Sequence, residues 1–248
     1  KMSKSKKNLV DPEDIIEGWG ADCARWFMLS DSPPERDVVW TEAGIQGAGR
    51  FIQRVWRVVD DLADKAAPAG TAQPQHFSPE ALDLRRAAHK ATHAVAQSIE
   101  GLRFNVAVAQ IYEFTNILSG ALAKIGAGHK TSEDFAWVLR EAGELFVQMI
   151  GPMMPHLGEE CWARLGYNTL LANQRWPAVD AGLLVDDKIT IAVQVNGKRR
   201  DELLIARDAA EDEVKAAALK LDPVVRALEG RQPKKIIVVP QRIVNVVA

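Results

Sequence analysis

The chain has 248 residues, 47% of them hydrophobic, with 31 Lys and Arg set against 33 Asp and Glu. That length suffices for two compact domains, and a formal net charge of −2 excludes a uniformly basic nucleic-acid binder. No apolar stretch approaches the roughly 20 residues that cross a bilayer, and the two cysteines, Cys23 and Cys161, have no metal-ligand spacing, so a reduced, cytoplasmic protein without a membrane span is expected.

The first element is Lys1-Met2-Ser3-Lys4-Ser5. Flexible ammonium groups can follow a phosphate whose charge grows during reaction, with Lys4 as the main contact and Lys1 supporting it. Ser3 and Ser5 add hydroxyls and N–H groups that phosphate oxygens accept. Lys1, Lys4, Lys6 and Lys7 also suit a plain solvated basic tail. Behind them, Asp11, Pro12 and Asp14 predict an N-cap, a first-turn proline and an approximate capping box, with Gly18 and Gly20 as the stop. A short helix over 21–30 should end before Ser32-Pro33-Pro34.

The stretch 42–65 has Ile45, Ala48, Ile52, Val55, Val59 and Leu62 at three- and four-residue steps, which makes one apolar face. Arg50, Arg54 and Arg57 fall on the opposite side, either as ordinary solvated charge or as an RNA-contact face. An Ala-, Pro- and Gly-rich loop over 66–78 leads to the start signal Ser78-Pro79-Glu80. Long helices are then expected near 79–100, 105–126 and 132–151, with Asn105 and Thr131 as N-caps and Gly126 and Gly128 as breakers. Val106, Ala109, Ile111, Leu118 and Leu122, then Leu139, Leu145, Phe146 and Met149, suit an antiparallel bundle. Pro152 and Pro155 break the next turn before a short helix.

After Trp176-Pro177 the pattern alternates. Strands are expected over 188–195 and 198–206 around an Asn196-Gly197 hairpin turn. Asp208 should cap a helix to about Lys220; a helix over 223–228 and strands 235–239 and 242–247 complete a small α+β domain. From Lys188 onward twelve Lys and Arg face eight Asp and Glu, so that this region is basic while the rest is acidic. Lys198, Arg199 and Arg200 sit at the hairpin tip, and Lys234, Lys235 and Arg242 flank the last strands. The fold class is therefore mainly α, an antiparallel helical bundle followed by a small α+β domain, divided into 1–40, 41–177, a linker 178–187, and 188–248.

Other patterns carry less. His89 and His93 share a helix face without a third ligand, so no metal is expected. Gly44, Gly47 and Gly49 lack the Gly-Lys-Ser/Thr of a phosphate loop and suit close helix packing. His156 with Glu159 and Glu160 suits a helix start rather than acid–base chemistry.

The opening pentapeptide with Asn8-Leu9-Val10-Asp11-Pro12 resembles the signature loop of class I aminoacyl-tRNA synthetases. Gly20-Ala21-Asp22, Arg25-Trp26-Phe27-Met28, Ser32-Pro33-Pro34-Glu35, the run Gly47 to Arg57, Val193-Gln194-Val195-Asn196-Gly197-Lys198 and the ending Val238-Val239-Pro240 to Ile243-Val244-Asn245 are similar to the bacterial leucyl branch. Lys7 and Cys23 depart from its usual asparagine and threonine. The resemblance implies ATP, with Mg²⁺, gripped through Lys1, Met2, Ser3, Lys4 and Ser5, with Lys1 and Lys4 catalytic. It implies leucine and tRNA(Leu) as partners, RNA contacts from Arg50, Arg54, Arg57, Lys198, Arg199, Arg200, Lys234, Lys235 and Arg242, and a monomeric whole enzyme. No His-Ile-Gly-His-like motif, Rossmann core or editing insertion is present, so the expectation is a catalytically silent carboxyl-terminal fragment of a leucine–tRNA ligase. The alternative is a stand-alone RNA-binding module without ligase activity.

Overall fold

The computed structural model describes Ser5 and residues 9–125, 131–185 and 188–247. The chain divides into two units, Lys1–Leu184 and Val185–Ala248. The first is helical: α1 Pro12–Trp19, α2 Ala21–Asp31, α3 Glu42–Lys65, α4 Pro79–Glu100, α5 Phe104–Ile125, α6 Glu133–Ile150 and α7 Pro155–Arg164, with two 3₁₀ turns at Leu171–Asn173 and Ala181–Leu183.

Local chemistry sets most of these bounds. Asp11 accepts the N–H of Glu13 at 3.0 Å, Thr41 that of Gly44 at 3.1 Å, and Ser78 that of Ala81 at 3.4 Å, each satisfying a donor that a helix start leaves open. α1 runs through Gly18 and stops only at Gly20, whose φ of 85° suits glycine. Two expected caps of this unit are corrected. α5 starts at Phe104, with Asn105 already inside it, because Leu102 adopts a left-handed φ of 53° and reverses the chain at once. Ser132, not Thr131, stands at the cap position of α6. Gly126 and Gly128 lie outside the described residues.

The first unit has one core. Trp26 of α2 stacks on Phe51 of α3, with ring centres 4.9 Å apart, and its indole N–H donates to Tyr112 of α5 at 3.2 Å. Through Cys23, Trp26 and Phe27, α2 thus contributes to the core of the bundle. On α3 the buried residues are Ile45, Ala48, Phe51, Val55, Val58, Val59 and Leu62, so that Phe51 and Val58 join the expected face while Ile52 is half-buried. Val106 and Ala109 of α5 point outward instead of into the bundle. Gly44 permits close approach of Phe27, and Gly49 that of Trp19, whose ring would lie 3.3 Å from an added Cβ; Gly47 has no such neighbour.

Buried charge is paired. Arg85 of α4 donates to both carboxylate oxygens of Glu141 of α6, at 2.8 and 3.2 Å, and lies over the Phe77 and Trp137 rings. Arg140 donates to the Ala67 and Leu165 carbonyls at 2.7 and 2.6 Å, closing loop ends onto α6. Residues 178–184, expected within the linker, belong to the first unit, where the N–H of Asp180 donates to His89 Nδ1 at 3.1 Å.

The second unit is a four-stranded sheet with order β2-β1-β4-β3. β1 Lys188–Val195 pairs antiparallel with β2 Lys198–Ala206, β4 Ile243–Val247 runs parallel to β1, and β3 Lys235–Val239 runs antiparallel to β4. Asn196 and Gly197 have φ of 50° and 78°, as a two-residue hairpin demands. α8 Glu211–Leu219 and α9 Asp222–Leu228 supply Val214, Ala218, Val224 and Leu228 to a core with Ile191, Val193, Val195, Val244 and Val246. Asp208 does not cap α8. Residues 207–209 are used in the turn that leaves β2, where the N–H of Ala209 donates to the Ala206 carbonyl, and Ala210 takes the cap position. Arg242 likewise lies in the β3–β4 turn instead of within the strand.

Candidate nucleic-acid interface

On α3 the burial of one face leaves the arginines to the other side, but they are not equivalent. Arg50 is exposed and makes no hydrogen bond or ion pair among the described residues. Arg57 is exposed and donates only to the Gln53 carbonyl of its own helix, at 3.2 Å. Arg54 lies at the edge of the apolar face, half-buried, and donates to Ser119 Oγ of α5 at 3.1 Å; Ser119 in turn donates to the Thr115 carbonyl. Arg54 thus also closes a helix–helix seam.

The acidic residues farther along α3 do not quench the free pair. Asp60 and Asp64 both hold Arg164 of α7, and Asp61 holds Lys65. The helix is therefore cationic and open in its middle, and charge-balanced in its last turns.

In the second unit, strand pairing decides which cations meet. Val195 pairs with Lys198 and with Val246, and Lys235 pairs with Val247, so the hairpin tip and the start of β3 share one end of the sheet. Lys198, Arg199, Arg200, Lys234 and Lys235 gather there, all exposed. Two strands, β1 and β4, lie between the two clusters, so the Lys198 and Lys235 backbones are three strand spacings, roughly 14 Å, apart. Arg199 is paired with Glu202, whereas the other four have no carboxylate partner among the described residues. Arg200 is the extra residue of a β-bulge opposite Val193 and Gln194. Arg242 precedes β4 and so belongs to the other end of the sheet.

Asn245, which the sequence marks only as the end of the closing stretch of the resemblance, has a structural task. Its side chain accepts the N–H of Gly197 at 3.1 Å and pins the hairpin tip that carries Lys198. Its polarity within an otherwise apolar strand is the local signal for that task.

Lys1, Met2, Ser3 and Lys4 lie outside the described residues; Ser5 is exposed. His89 is engaged as a structural group, its Nε2 lying 3.2 Å from Glu141 while Nδ1 accepts from Asp180. Among the described residues no group of three His, Cys, Asp or Glu is placed to hold a metal ion. Glu159 and Glu160 do not sit in the first turn of α7; Glu159 instead accepts the N–H groups of Leu171 and Ala172. Cys161 is buried, and desolvation, helped by the Glu160 charge, pushes its thiol up to about 12.

Residues 82–216 match the family model described as the anticodon-binding domain of tRNA ligase, and residues 1–41 match class I tRNA synthetases of the I, L, M and V group. The leucine–tRNA ligase of Azorhizobium caulinodans is 54% identical over 248 residues, all of this chain and 28% of that protein. That of Parvibaculum lavamentivorans is 56% identical over 247 residues, again 28% of its length. The chain thus spans under a third of the curated relatives it matches. In a crystal structure of a LeuRS–tRNA–LeuAMS ternary complex from Agrobacterium radiobacter K84, the similar part is 30% identical with a TM-score of 0.75, covering 100% of this chain and 31% of that one.

Proposed function

Because the chain belongs to the family of anticodon-binding domains of tRNA ligases, we propose that it forms the tRNA-holding part of a leucine–tRNA ligase. The whole enzyme would join leucine to ATP, release pyrophosphate and pass the leucyl group to the 3′ end of tRNA(Leu). The observation that carries this reading is continuity: a match at 54–56% identity to leucine–tRNA ligases runs through both units of this chain. The distribution of free cations supports it, since Arg50 and Arg57 on α3, and Lys198, Arg200, Lys234 and Lys235 at the sheet end, would meet RNA backbone without first breaking an internal ion pair.

In this reading Lys4, supported by Lys1, neutralises charge on the departing pyrophosphate of ATP, and Mg²⁺ accompanies the nucleotide. The contact strengthens as charge develops, so Lys4→Ala in a whole enzyme should depress the activation rate far more than ATP binding. The enzyme works in the cytoplasm as a monomer, and the chain alone is catalytically silent. The test is a titration of this chain with tRNA(Leu) across salt concentrations. Tight binding at low salt, weakening steeply as salt rises and reduced by exchanging Arg50 and Arg57 for Gln, is the expected result. No binding at low salt, or pyrophosphate exchange by the chain alone, would overturn the reading.

A further inference from the structure

A cleft beside the α6–α7 turn of the first unit has no part in the contacts above. Its volume is about 270 Å³, below the roughly 300–1,000 Å³ of sites for whole drug-sized ligands. It has room for one planar base, not for a nucleoside triphosphate. Pro152, Pro155, Leu171, Trp176 and Pro177 supply flat apolar walls.

These walls are built before any ligand arrives. Leu171 presses against Gly151 and Gly158, where an added Cβ would come within 2.8 Å of its Cδ2 in both cases. The Glu159 carboxylate holds the 3₁₀ turn through the N–H groups of Leu171 and Ala172 at 2.7 and 2.9 Å, so both its oxygens are engaged. Gln174 donates its amide hydrogens to Thr169 and the Leu170 carbonyl, leaving its carbonyl oxygen open.

Against this ordered frame three side chains have nothing to do. Trp176 is 40% exposed and has neither a ring partner nor a hydrogen bond among the described residues. The Arg175 guanidinium and the Gln148 amide, both at the cleft, also make no hydrogen bond or ion pair there. An exposed indole, two amide groups and an unpaired guanidinium around a base-sized space match the needs of an unstacked nucleotide.

We propose that the cleft takes one unstacked nucleotide of an RNA strand, with its base against Trp176, its edge toward Gln148 and Gln174, and its phosphate on Arg175. A proline-rich peptide would also suit a Trp- and Pro-lined surface. It brings no anion for Arg175, and it needs a longer groove than this one. The proposal rests on the tRNA-binding reading and names a subsite within it.

The experiment follows the Trp176 indole N–H signal of the ¹⁵N-labelled chain, assigned by its loss in Trp176→Phe, during titration with AMP, UMP, inorganic phosphate, a proline-rich peptide and tRNA(Leu). Saturable shifts with both nucleotides and with tRNA, and none with phosphate alone, are expected. Trp176→Ala should weaken tRNA binding about tenfold, with Trp176→Phe retaining most of it. Arg175→Gln should lower the salt slope by about one unit. If the indole signal ignores every nucleotide and the tRNA while the chain still binds tRNA, the cleft proposal falls and the tRNA reading stands. If AMP and UMP shift it but tRNA does not bind, the tRNA reading falls and the proposal that rests on it falls too. A shift with the peptide alone would make the cleft a peptide groove and overturn the proposal.

Discussion

The arginines of α3 and the cations at the sheet end reach similar exposure by different routes. On α3 a single rigid rod presents them in an order set by helical spacing, and the partner helix takes Arg54 out through Ser119. At the sheet end Lys198 and Arg200 meet Lys234 and Lys235 only because β4 runs parallel to β1 and antiparallel to β3. A basic helix face can thus be listed from its own residues. A basic sheet corner exists only once the strand order is known, and in both places neighbouring carboxylates and hydroxyls decide which cations stay free.

The largest expected effect tests whether the two units keep separate cores. Trp26→Ala removes the stack on Phe51 and the bond to Tyr112 and should cost the helical unit about 3–5 kcal/mol. Hydrogen exchange should show the loss in α2, α3 and α5 while the amides of β1 and β4 keep their protection. Equal loss in the sheet would break the comparison.

Neutralising Lys198, Arg200, Lys234 and Lys235 together should reduce the slope of log affinity against log salt for tRNA by about three units, against roughly 1.5 for Arg50 and Arg57. A larger effect from the arginine pair would reverse the ranking of the two surfaces.

The helical unit should also respond to acid. For Glu141 burial raises the carboxyl, but the bonds from His89 and Arg85 outweigh it and hold it below its ordinary 4.5. Asp134 is held well below the usual carboxylate range, chiefly by the Ser78 N–H. A depressed folded value means that the unfolded chain binds more protons in acid. The stabilisation is therefore complete above the ordinary values and is lost as pH falls through the folded ones. Glu141→Gln should lower stability at pH 7 by about 1–3 kcal/mol and flatten the acid limb of its pH profile. Burial raises Glu144 against the Tyr167 and Arg140 contacts, so it works in the opposite sense. An unchanged acid limb would deny the Glu141 network its role.

The smallest effect is expected from Arg242→Gln, because its side chain belongs to the end of the sheet away from the basic corner. The salt slope should change by well under about one unit. A full unit would mean that RNA reaches both ends of the sheet.

Strong periodicity and capping made α3, α4, β1 and β2 legible to the residue: 42–65, 79–100, 188–195 and 198–206 were the expected spans and the observed ones. Caps chosen by residue type alone failed at Asn105, Thr131 and Asp208. Each has an oxygen that can cap, but the entry of the chain was decided by Leu102 in a left-handed turn, by Ser132 at the cap position, and by a turn that consumed residues 207–209. At the candidate interface all nine basic positions were legible as residues. Their grouping was not, and neither were the bond from Gly197 to Asn245 or the cleft around Trp176.

Composition and spacing by themselves determined a helical body, a small alternating domain and a short catalogue of cations, because side-chain periodicity and turn preference act within a few residues of the chain. Tertiary structure decided the rest: the seating of α2 in the bundle core, the capture of Arg54, the single basic corner of the sheet, and the glycine-backed cleft beside Trp176. Those outcomes depend on contacts between residues far apart in the chain, where packing and ion pairing choose among side chains that look alike in sequence.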